Sequence, residues 1–280
     1  MTLQQALRTA ARRFATAGLD QPRLEAEVLL AWASGYSRPQ LLARLEEELA
    51  AATVLRFWQA VERRAGGYPL QYLTGKQEFM SLEFTVNPAV LIPRQDTEIV
   101  VTAVLQRLQD SGNYSIADCG TGSGAIVLSL AHYLPCSFFY ATDISAAALA
   151  VARQNASRLG LAERVVFIQG DYLAPLKGLK FDVITANPPY IAAEDLDRLP
   201  VEVQFEPRQA LNGGPDGLNA YRRILPQAAP LLKKGGFLAL EIGYNQGEAV
   251  RELAAATGAY RDLAVLSDYG GRDRCLLAYR

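Results

Sequence analysis

The chain has few of the residues that cross-link proteins or bind metal ions. Its 280 residues include only 3 cysteines and 1 histidine. Cys119, Cys136 and Cys275 show no C-x-x-C spacing and lie in or beside apolar segments. A disulfide framework and a metal site are therefore both disfavoured. We expect the cysteines to be small buried residues in a reducing compartment, we predict no metal ligand, and we assign His132 a structural role.

An excess of charge of one sign is also missing. Lysine and arginine total 28 and aspartate and glutamate total 29, and the isoelectric point is about 6.0. Basic residues occur in runs no longer than Lys233-Lys234 or Arg63-Arg64. A protein that binds a polyanion over a broad face usually carries more positive charge. We therefore expect no direct nucleic-acid partner, and we expect a monomer.

Long apolar runs are the third absence. No apolar run approaches the length that crosses a bilayer, and the first residues include Gln4-Gln5 and Arg8 where a signal peptide would be apolar. We predict a cytoplasmic protein with no membrane partner. With 50% hydrophobic residues, the chain can bury one sizeable core and a smaller second core.

Three regions follow one another along the chain. In residues 1–73, apolar residues recur at helical spacing, with breaks near Gly18, Gly35 and Gly66, which predicts a helical bundle. This bundle is either a solubilising cap or a module that recognises a macromolecular substrate. Residues 74–93 contain two alternating segments that predict a linking β-hairpin. Residues 94–280 alternate strand and helix patterns, which predicts an α/β domain with a doubly wound sheet.

Strands of this sheet are predicted from short apolar runs. Four of them span residues 115–119, 138–142, 165–169 and 181–186, and a fifth spans 237–242. Residues 263–266 and 275–279 are typical of an antiparallel pair at the sheet edge. Between the strands at 181–186 and 237–242, a helix is predicted over 218–232, and Gly235-Gly236 is expected to end it.

A glycine turn follows the first of these strands. It consists of Gly120, Thr121, Gly122, Ser123 and Gly124, and a helical pattern begins at Ala125. Glycines allow close approach of a ligand to the backbone, and the helix start presents free N–H groups. The G-x-G-x-G spacing differs from that of dinucleotide sites, and no Lys-Ser/Thr follows as in phosphate loops. A pyrophosphate ligand is therefore disfavoured, although a simple tight turn is an alternative.

Acidic residues end the next two strands. Asp143 lies about 20 residues beyond the glycine turn, the spacing at which a carboxylate meets ribose hydroxyl groups. Asp171 could accept from an adenine amine, and Tyr172 could flank the ring. Asp143 could instead cap the following helix. The three successive strand ends together favour a nucleoside site.

The tetrapeptide Asn187-Pro188-Pro189-Tyr190 follows the strand at 181–186. The Asn187 side chain can accept one N–H of a planar NH2 group and donate its own NH2 to a substrate carbonyl. The prolines hold the backbone extended and aim the Pro188 carbonyl as a second acceptor, while Tyr190 offers a flat wall. These features favour a site that orients an NH2 group. A strand-ending turn is the alternative.

Two further segments are candidates for contact with ligands. In residues 93–98, Asp96 is a plausible helix N-cap, and Arg94 and Thr97 are expected within reach of a bound ligand. The stretch 192–217 is polar and too long for a simple connector. Such a segment is typical of a lid or binding loop, or of a disordered insert.

These motifs together resemble class I S-adenosylmethionine-dependent methyltransferases that act on amino groups. Further segments resemble the PrmC/HemK family more narrowly, namely Leu91 to Glu98, Phe205-Glu206-Pro207, Glu241-Ile242-Gly243 and Gln246-Gly247. The chain departs from the family pattern at Gln95, where proline is usual, and at Cys119, where leucine is usual.

The resemblance implies a fold and an activity. It implies a Rossmann-like seven-stranded sheet with the seventh strand reversed, preceded by a helical substrate-recognition domain. The activity would be methyl transfer from S-adenosylmethionine to the side-chain nitrogen (N5) of the glutamine in the Gly-Gly-Gln motif of bacterial peptide-chain release factors, with S-adenosylhomocysteine as product. An adenine N6-methyltransferase acting on nucleic acid is the main alternative, because adenine presents the same NH2 group. A non-catalytic protein that binds S-adenosylmethionine is another.

The resemblance also implies roles for individual residues. Asn187, Pro188 and Tyr190 would be catalytic, and Asn187, Pro188, Pro189 and Tyr190 would bind the substrate glutamine. The cofactor would be bound by the following residues: Gly120, Thr121, Gly122, Ser123, Gly124, Asp143, Asp171, Tyr172, Asn187, Arg94 and Thr97.

Overall fold

A computed structural model of the protein describes residues 1–268 and 270–280 and divides the chain into two compact units. The first unit comprises Met1–Lys76 and Pro200–Phe205, and the second comprises Gln77–Leu199 and Glu206–Arg280. The sequence analysis assigned residues 200–205 to the C-terminal domain. They group with the first unit because Glu202 pairs with Arg64 and the ring of Phe205 packs on that of Tyr68.

The first unit is helical, as the apolar spacing predicts. Its helices are α1 (Leu3–Thr16), α2 (Pro22–Ser34), α3 (Arg38–Leu42), α4 (Ala51–Ala65) and α5 (Leu70–Thr74). A capping box between Thr2 and Gln5 begins α1, and Gly35, with a φ of 77°, ends α2. Buried apolar side chains from several helices, including Phe14, Leu29 and Phe57, form the core.

A β-hairpin follows, as predicted for the linker. Strands β1 (Lys76–Phe79) and β2 (Leu82–Thr85) form a two-stranded sheet. Met80 and Ser81 form the two-residue turn, and both have positive φ angles, of 50° and 59°. Positive φ at both central residues is the geometry of the type I′ turn, whose twist matches that of the strands.

The second unit is built on a seven-stranded sheet. Its strands are β3 (Ser115–Cys119), β4 (Phe138–Asp143), β5 (Val165–Gln169), β6 (Phe181–Ala186), β7 (Leu232–Glu241), β8 (Asp262–Ser267) and β9 (Asp273–Tyr279). They lie in the order β5-β4-β3-β6-β7-β9-β8. Neighbours from β5 to β7 are parallel, whereas β9 is antiparallel to both β7 and β8. The reversed last strand is the one that the family resemblance implies.

Helices cover both faces of this sheet. One apolar layer contains α6 (Glu98–Leu105), α7 (Ala125–Tyr133), part of α8 (Ala146–Arg158) and Phe79 and Phe84 of the hairpin. The other contains α11 (Asn219–Ala228) and α12 (Gly247–Ala256). Strands buried on both faces are continuous apolar runs, which is why their positions could be predicted from the sequence.

The structure differs from the predicted elements at three places. Gly235-Gly236 does not end a helix but lies inside β7, because Leu232 already pairs with Phe181 of β6. Asp96 does not cap α6, since its carboxylate pairs with Arg274 at 3.0 Å. Cys136 is exposed, whereas Cys119 and Cys275 are buried as expected.

The stretch 192–217 is structured. It contains a 3-10 segment (Ala193–Arg198) and the short helices α9 (Val201–Gln204) and α10 (Arg208–Leu211). Its end is bonded to the chain after β6, because Gly213 N donates to Ile191 O at 2.8 Å. At Gly213, a side chain would meet the backbone of Tyr190 and Gly217 at 2.7–2.8 Å. Within the described ranges, no helix has the length and apolar character of a membrane span.

Candidate active site

A cavity of about 330 Å³ lies at the carboxyl ends of the parallel strands in the second unit. Open α/β sheets bind ligands at this edge, and the volume is in the range of small-molecule sites. The cavity brings together most of the predicted site residues. Those that line it are Thr97, Gly120, Thr121, Gly122, Ser123, Asp143, Asp171, Tyr172, Asn187 and Pro189.

The glycine loop presents bare backbone to this cavity. Gly120 and Gly122 have φ angles of 72° and 56°, and a side chain at either would meet no other atom within 4 Å. Only residues that tolerate positive φ fit there, and the open space beside them is available to a ligand. Gly124 differs, because a side chain there would meet Leu128 at 2.9 Å. Gly124 is thus a packing position where α7 begins and does not line the cavity.

A buried carboxyl group, that of Asp118, is hydrogen-bonded to the glycine loop. Asp118 is the next-to-last residue of β3, and its two oxygens accept hydrogen bonds from Thr121 Oγ1 at 2.6 Å and Thr185 Oγ1 at 2.8 Å. Burial raises the pKa of Asp118 to about 6, although the two hydroxyl groups lower it. Asp118 therefore ties the glycine loop to β6.

Asp143 joins two elements at the cavity wall. Its Oδ2 accepts from Gly122 N and its Oδ1 from Ser145 N, both at 2.9 Å. The cap of α8 is Ser145, whose Oγ accepts from Ala148 N at 3.1 Å. The capping alternative for Asp143 is therefore wrong. Asp143 lines the cavity and fixes the glycine loop relative to the start of α8.

The Asp171-Tyr172 turn has a partner that the sequence did not indicate. The Asp171 carboxylate pairs with Arg223 of α11, and the guanidinium lies 5.2 Å from the centre of the Tyr172 ring. Tyr172 has a φ of 46°, and its carbonyl accepts from Thr142 Oγ1 at 2.7 Å. Arg223 also lines the cavity. No motif marks this arginine, because its contacts lie 52 residues away in the chain.

The Asn187 side chain is held by a hydroxyl group. Its Nδ2 donates to Thr97 Oγ1 at 3.1 Å, so one N–H predicted to serve a substrate carbonyl is already used. Pro189 lines the cavity, but Pro188 and Tyr190 are not among its lining residues. The Tyr190 carbonyl accepts from Gln246 Nε2 at 3.0 Å, which fixes the end of the tetrapeptide.

Arg94 is placed differently from the sequence hypothesis. Its guanidinium pairs with the buried Glu206, which also accepts from Ile92 N at 2.9 Å, and it does not line the cavity. The pair ties residues 92–94 to the Glu206-Pro207 segment. Pro93 and Pro207, which are the chain neighbours of Arg94 and Glu206, both line the cavity. The Arg94–Glu206 pair therefore holds two segments of the cavity wall together, and Arg94 itself does not face the cavity.

A second buried carboxyl group, Glu241, lies at the end of β7. Tyr190 donates its hydroxyl to Glu241 Oε1 at 3.4 Å. Among the described residues, Oε2 of Glu241 has no hydrogen-bond partner. Burial raises the pKa of Glu241 to about 7, while nearby Thr97 and the Arg274 charge lower it. The sequence motif included this residue but did not indicate its contacts.

Comparison with known proteins decides the family. Residues 5–75 match the model of the PrmC N-terminal domain, and residues 110–266 match that of a methyltransferase domain. A release factor glutamine methyltransferase from Moorella thermoacetica is 68% identical over 100% of this chain and 99% of its own length. One from Caulobacter vibrioides is 38% identical over 100% of this chain and 97% of its own length. The chain belongs to the release factor glutamine methyltransferase family.

Membership of this family confirms the resemblance and the fold class. The chain is a methyltransferase, and the adenine alternative is not favoured. The T. thermophilus 16S rRNA methyltransferase RsmC, solved in complex with AdoMet and guanosine, superimposes with a TM-score of 0.53 at 17% identity. The match covers 73% of this chain and 49% of RsmC, and at this identity it concerns the fold alone.

Proposed function

We propose that the chain transfers a methyl group from S-adenosylmethionine to the N5 nitrogen of the glutamine in the Gly-Gly-Gln motif of peptide-chain release factors. The observation that carries the proposal is the presence of Asn187 and Pro189 in the same cavity as the glycine loop and Asp143. A donor site and a site for a planar NH2 group thus share one wall. The full-length likeness to release factor glutamine methyltransferases supports the choice of substrate.

The cavity fits the methyl donor in shape and chemistry. Gly120 and Gly122 leave their backbone open for close approach, and the Asp143 carboxylate is the expected partner of ribose hydroxyl groups. Asp171 and Tyr172 would lie beside the adenine ring of the donor, where Arg223 holds the Asp171 carboxylate in place. Bound S-adenosylmethionine supplies a methyl group on a positively charged sulfur, which is a good leaving group. S-adenosylhomocysteine is the product.

Positioning would account for most of the rate increase. An amide nitrogen is a weak nucleophile because its lone pair is delocalised. The Asn187 side-chain oxygen and the Pro188 carbonyl would accept the two N–H groups of the substrate and hold its nitrogen in line with the methyl group. Well-oriented reactants at about 3–3.5 Å gain several kcal/mol over free encounter. No strong base is needed, since the nitrogen releases a proton readily once it has become positively charged.

The test is methylation of a purified release factor, followed by mass analysis of the intact protein and of the peptide that contains the Gly-Gly-Gln motif. We expect one methyl group on the glutamine. A release factor with that glutamine replaced by alanine is the matched control and should gain no methyl group. Label transferred from the donor to DNA or RNA but not to protein would overturn the proposal.

The monomeric state, the absence of a nucleic-acid partner and the cytoplasmic location stay predictions. A sedimentation measurement of the purified chain would check the first, and salt-dependent binding to duplex DNA would check the second.

A further inference from the structure

The side chain of Gln246 uses all of its hydrogen-bonding groups. Gln246 immediately precedes α12, and its Nε2 donates to Tyr190 O at 3.0 Å and to Gly217 O at 3.4 Å. Its Oε1 accepts from Gly243 N and from the Tyr221 hydroxyl, both at 3.1 Å. Because a carboxamide has two N–H groups and an oxygen with two lone pairs, each of these positions is occupied by a partner within the protein.

Only one orientation of this carboxamide satisfies its neighbours. A reversed carboxamide would place Oε1 opposite two carbonyl oxygens and Nε2 opposite the N–H of Gly243. The hydrogen-bond partners therefore determine which end of the side chain is the oxygen. Two glycines permit the close contact, because a side chain at Gly217 would lie 2.7 Å from Nε2 and one at Gly243 would lie 2.8 Å from Oε1. The surroundings of Gln246 are thus fitted to a glutamine side chain.

One of the two carbonyl groups that Gln246 holds belongs to the last residue of the Asn187–Tyr190 segment. The segment begins where β6 ends, and β6 is held by pairing with β3 and β7. Pro188 and Pro189 have no N–H, so neither can donate a main-chain hydrogen bond that would fix the segment. Its other end accepts the bond from Gln246 at Tyr190 O. The direction of the Pro188 carbonyl therefore depends on anchors at the two ends.

The second carbonyl group, that of Gly217, lies in the chain that continues from α10. Residues of α10 line the cavity. The chain after α10 is bonded to the residue that follows the Asn187–Tyr190 segment, since Ile191 N donates to Leu211 O at 3.0 Å and Gly213 N donates to Ile191 O at 2.8 Å. Gln246 thus joins two parts of the chain that both contribute to the cavity wall.

We infer that Gln246 is a positioning residue for the acceptor, which fixes the Asn187–Tyr190 segment relative to the chain after α10 at the separation that a substrate glutamine needs. Gln246 does not line the cavity, so it acts through Asn187 and Pro188 and not on the substrate itself. Its four hydrogen bonds do not involve the glycine loop or Asp143, so the donor should bind without it. The inference rests on the proposed function, because it deepens the acceptor geometry given there.

The first experiment tests the anchor without any release factor. Amide hydrogen exchange of 15N-labelled protein is followed by NMR, residue by residue, in the wild type and in Gln246→Met, which keeps the length of the side chain but cannot donate a hydrogen bond. We expect the amides of Ile191 and Gly213 to exchange at least about tenfold faster in the variant, because the segments that they join open more often. The amide of Gly122, which is bonded to Asp143, should stay within about twofold.

Gln227→Met is the matched control for the exchange experiment. Gln227 is a half-buried glutamine of α11, and its Oε1 accepts from Leu173 N at 3.1 Å, so the same substitution removes a bond from a side chain to the backbone elsewhere in the second unit. The control should leave the exchange of Ile191 and Gly213 within about twofold. Unchanged exchange in Gln246→Met, or equal acceleration in both variants, would overturn the inference.

The second experiment compares acceptor and donor in catalysis. For Gln246→Met at saturating donor, kcat/KM for the release factor should fall at least about tenfold, as for the loss of one or two hydrogen bonds that hold the reacting geometry. The donor Kd should stay within about twofold, which also shows that the variant is folded. Gln227→Met should keep kcat/KM within about twofold. A loss of donor affinity as large as the loss of kcat/KM would mean that Gln246 has only a general structural role.

Gln246→Glu tests the direction of the hydrogen bonds. The variant side chain has the size of glutamine, but a carboxylate oxygen takes the place of Nε2 and faces the carbonyl oxygens of Tyr190 and Gly217. Repulsion between these oxygens should displace both carbonyl groups, so kcat/KM should fall at least about threefold further than in Gln246→Met. Activity of Gln246→Glu equal to that of the wild type would contradict the inference.

A double-mutant cycle separates positioning from general damage to the fold. In the Asn187→Ala background, Gln246→Met should lower kcat/KM less than about threefold, because the main substrate contact that Gln246 positions is gone. An equal tenfold loss in both backgrounds would contradict the inference. Absence of wild-type methylation on every release factor would instead contradict the proposed function, and the exchange result would still decide whether Gln246 holds the Asn187–Tyr190 segment.

Discussion

Two buried carboxyl groups stand behind the cavity, and they differ in how fully they are hydrogen-bonded. Asp118, under the glycine loop, accepts one hydroxyl group on each oxygen, at 2.6 and 2.8 Å. Glu241, behind Asn187, accepts one from Tyr190 at 3.4 Å, and its Oε2 has no partner in the described part of the chain. Burial raises the pKa of both groups, to about 6 and about 7.

The difference separates a structural group from a less constrained one. Thr121 belongs to the glycine loop, and losing the Asp118 carboxyl group would leave its buried hydroxyl group without that acceptor. Glu241 is less fully bonded, since it accepts only the Tyr190 hydroxyl and its Oε2 has no partner among the described residues. The buried carboxyl group on the donor side of the cavity thus holds the glycine loop, whereas the one on the acceptor side makes fewer contacts.

The largest expected effect tests the acceptor side. Asn187→Ala should lower kcat at least about 100-fold, because a positioned polar group at the reacting atom is typically worth this much. The donor Kd, measured by calorimetry, should stay within about threefold. Asn245→Ala, at an exposed asparagine after β7, is the control and should cost less than twofold. Equal losses in the two variants would remove the distinction between the sides.

The next test compares the two carboxyl groups by stability. Asp118→Ala should reduce the free energy of unfolding by about 2–4 kcal/mol, because Thr121 and Thr185 lose a buried acceptor. Glu241→Gln should cost less than about 1 kcal/mol, since it preserves volume and removes a buried charge. Urea titrations would check both values. The reverse order would mean that Glu241 is the structural group.

Asp143 tests the donor side alone. Its replacement by alanine frees the backbone N–H groups of Gly122 and Ser145 and removes the ribose partner. We expect the donor affinity to fall about 10- to 100-fold, as for the loss of one or two charge-assisted hydrogen bonds. At saturating donor, kcat should change less than about threefold. A large loss of kcat with unchanged donor affinity would place Asp143 on the acceptor side.

The smallest effect concerns pH and stability. Both carboxyl groups have folded-state pKa values above their ordinary values, so their contribution is fully present at low pH and is lost as pH rises through about 6 and about 7. Lowering the pH from 7.5 to 5.5 should therefore raise the free energy of unfolding by on the order of 1–3 kcal/mol. Urea unfolding at the two pH values measures this difference.

The double variant Asp118→Asn with Glu241→Gln is the control for this pH effect and should show a much smaller rise. Carboxylates with lowered pKa values act in the opposite sense but at lower pH, since Asp216 titrates in the folded state near 2. A fall in stability between pH 7.5 and 5.5 would show that other groups dominate in this window.

Local patterns predicted much of the fold and of the cavity wall. The strands at 115–119, 165–169 and 181–186 were predicted with their observed bounds. The first and the third are buried on both faces, and such strands are nearly continuous apolar runs. Gly235-Gly236 was misassigned, because local turn preference was outweighed by pairing of β7 with β6. The positions of the glycine loop, Asp143 and Asn187 at one sheet edge followed from strand order alone.

Pairings between distant residues could not be predicted. Arg94 meets Glu206 across 112 positions, and Arg223 meets Asp171 across 52. Neither pair has a sequence pattern, because a charged residue on a helix or loop is equally suited to contact with solvent. The neighbours of Glu241 could not be predicted either, because they come from β9, from the segment before α6 and from the chain after β6.

Close packing of two glycines against the Asn-Pro-Pro-Tyr segment limits how the substrate range of this enzyme can be changed. A side chain at Gly217 would lie 2.4 Å from Tyr190 O, and one at Gly213 would lie 2.8 Å from Tyr190 Cα. A combinatorial library randomised over this stretch should return glycine at both positions, whichever acceptor protein is used for selection. Engineering of new acceptor preferences should begin at Gln209 and Ala210, which line the same cavity.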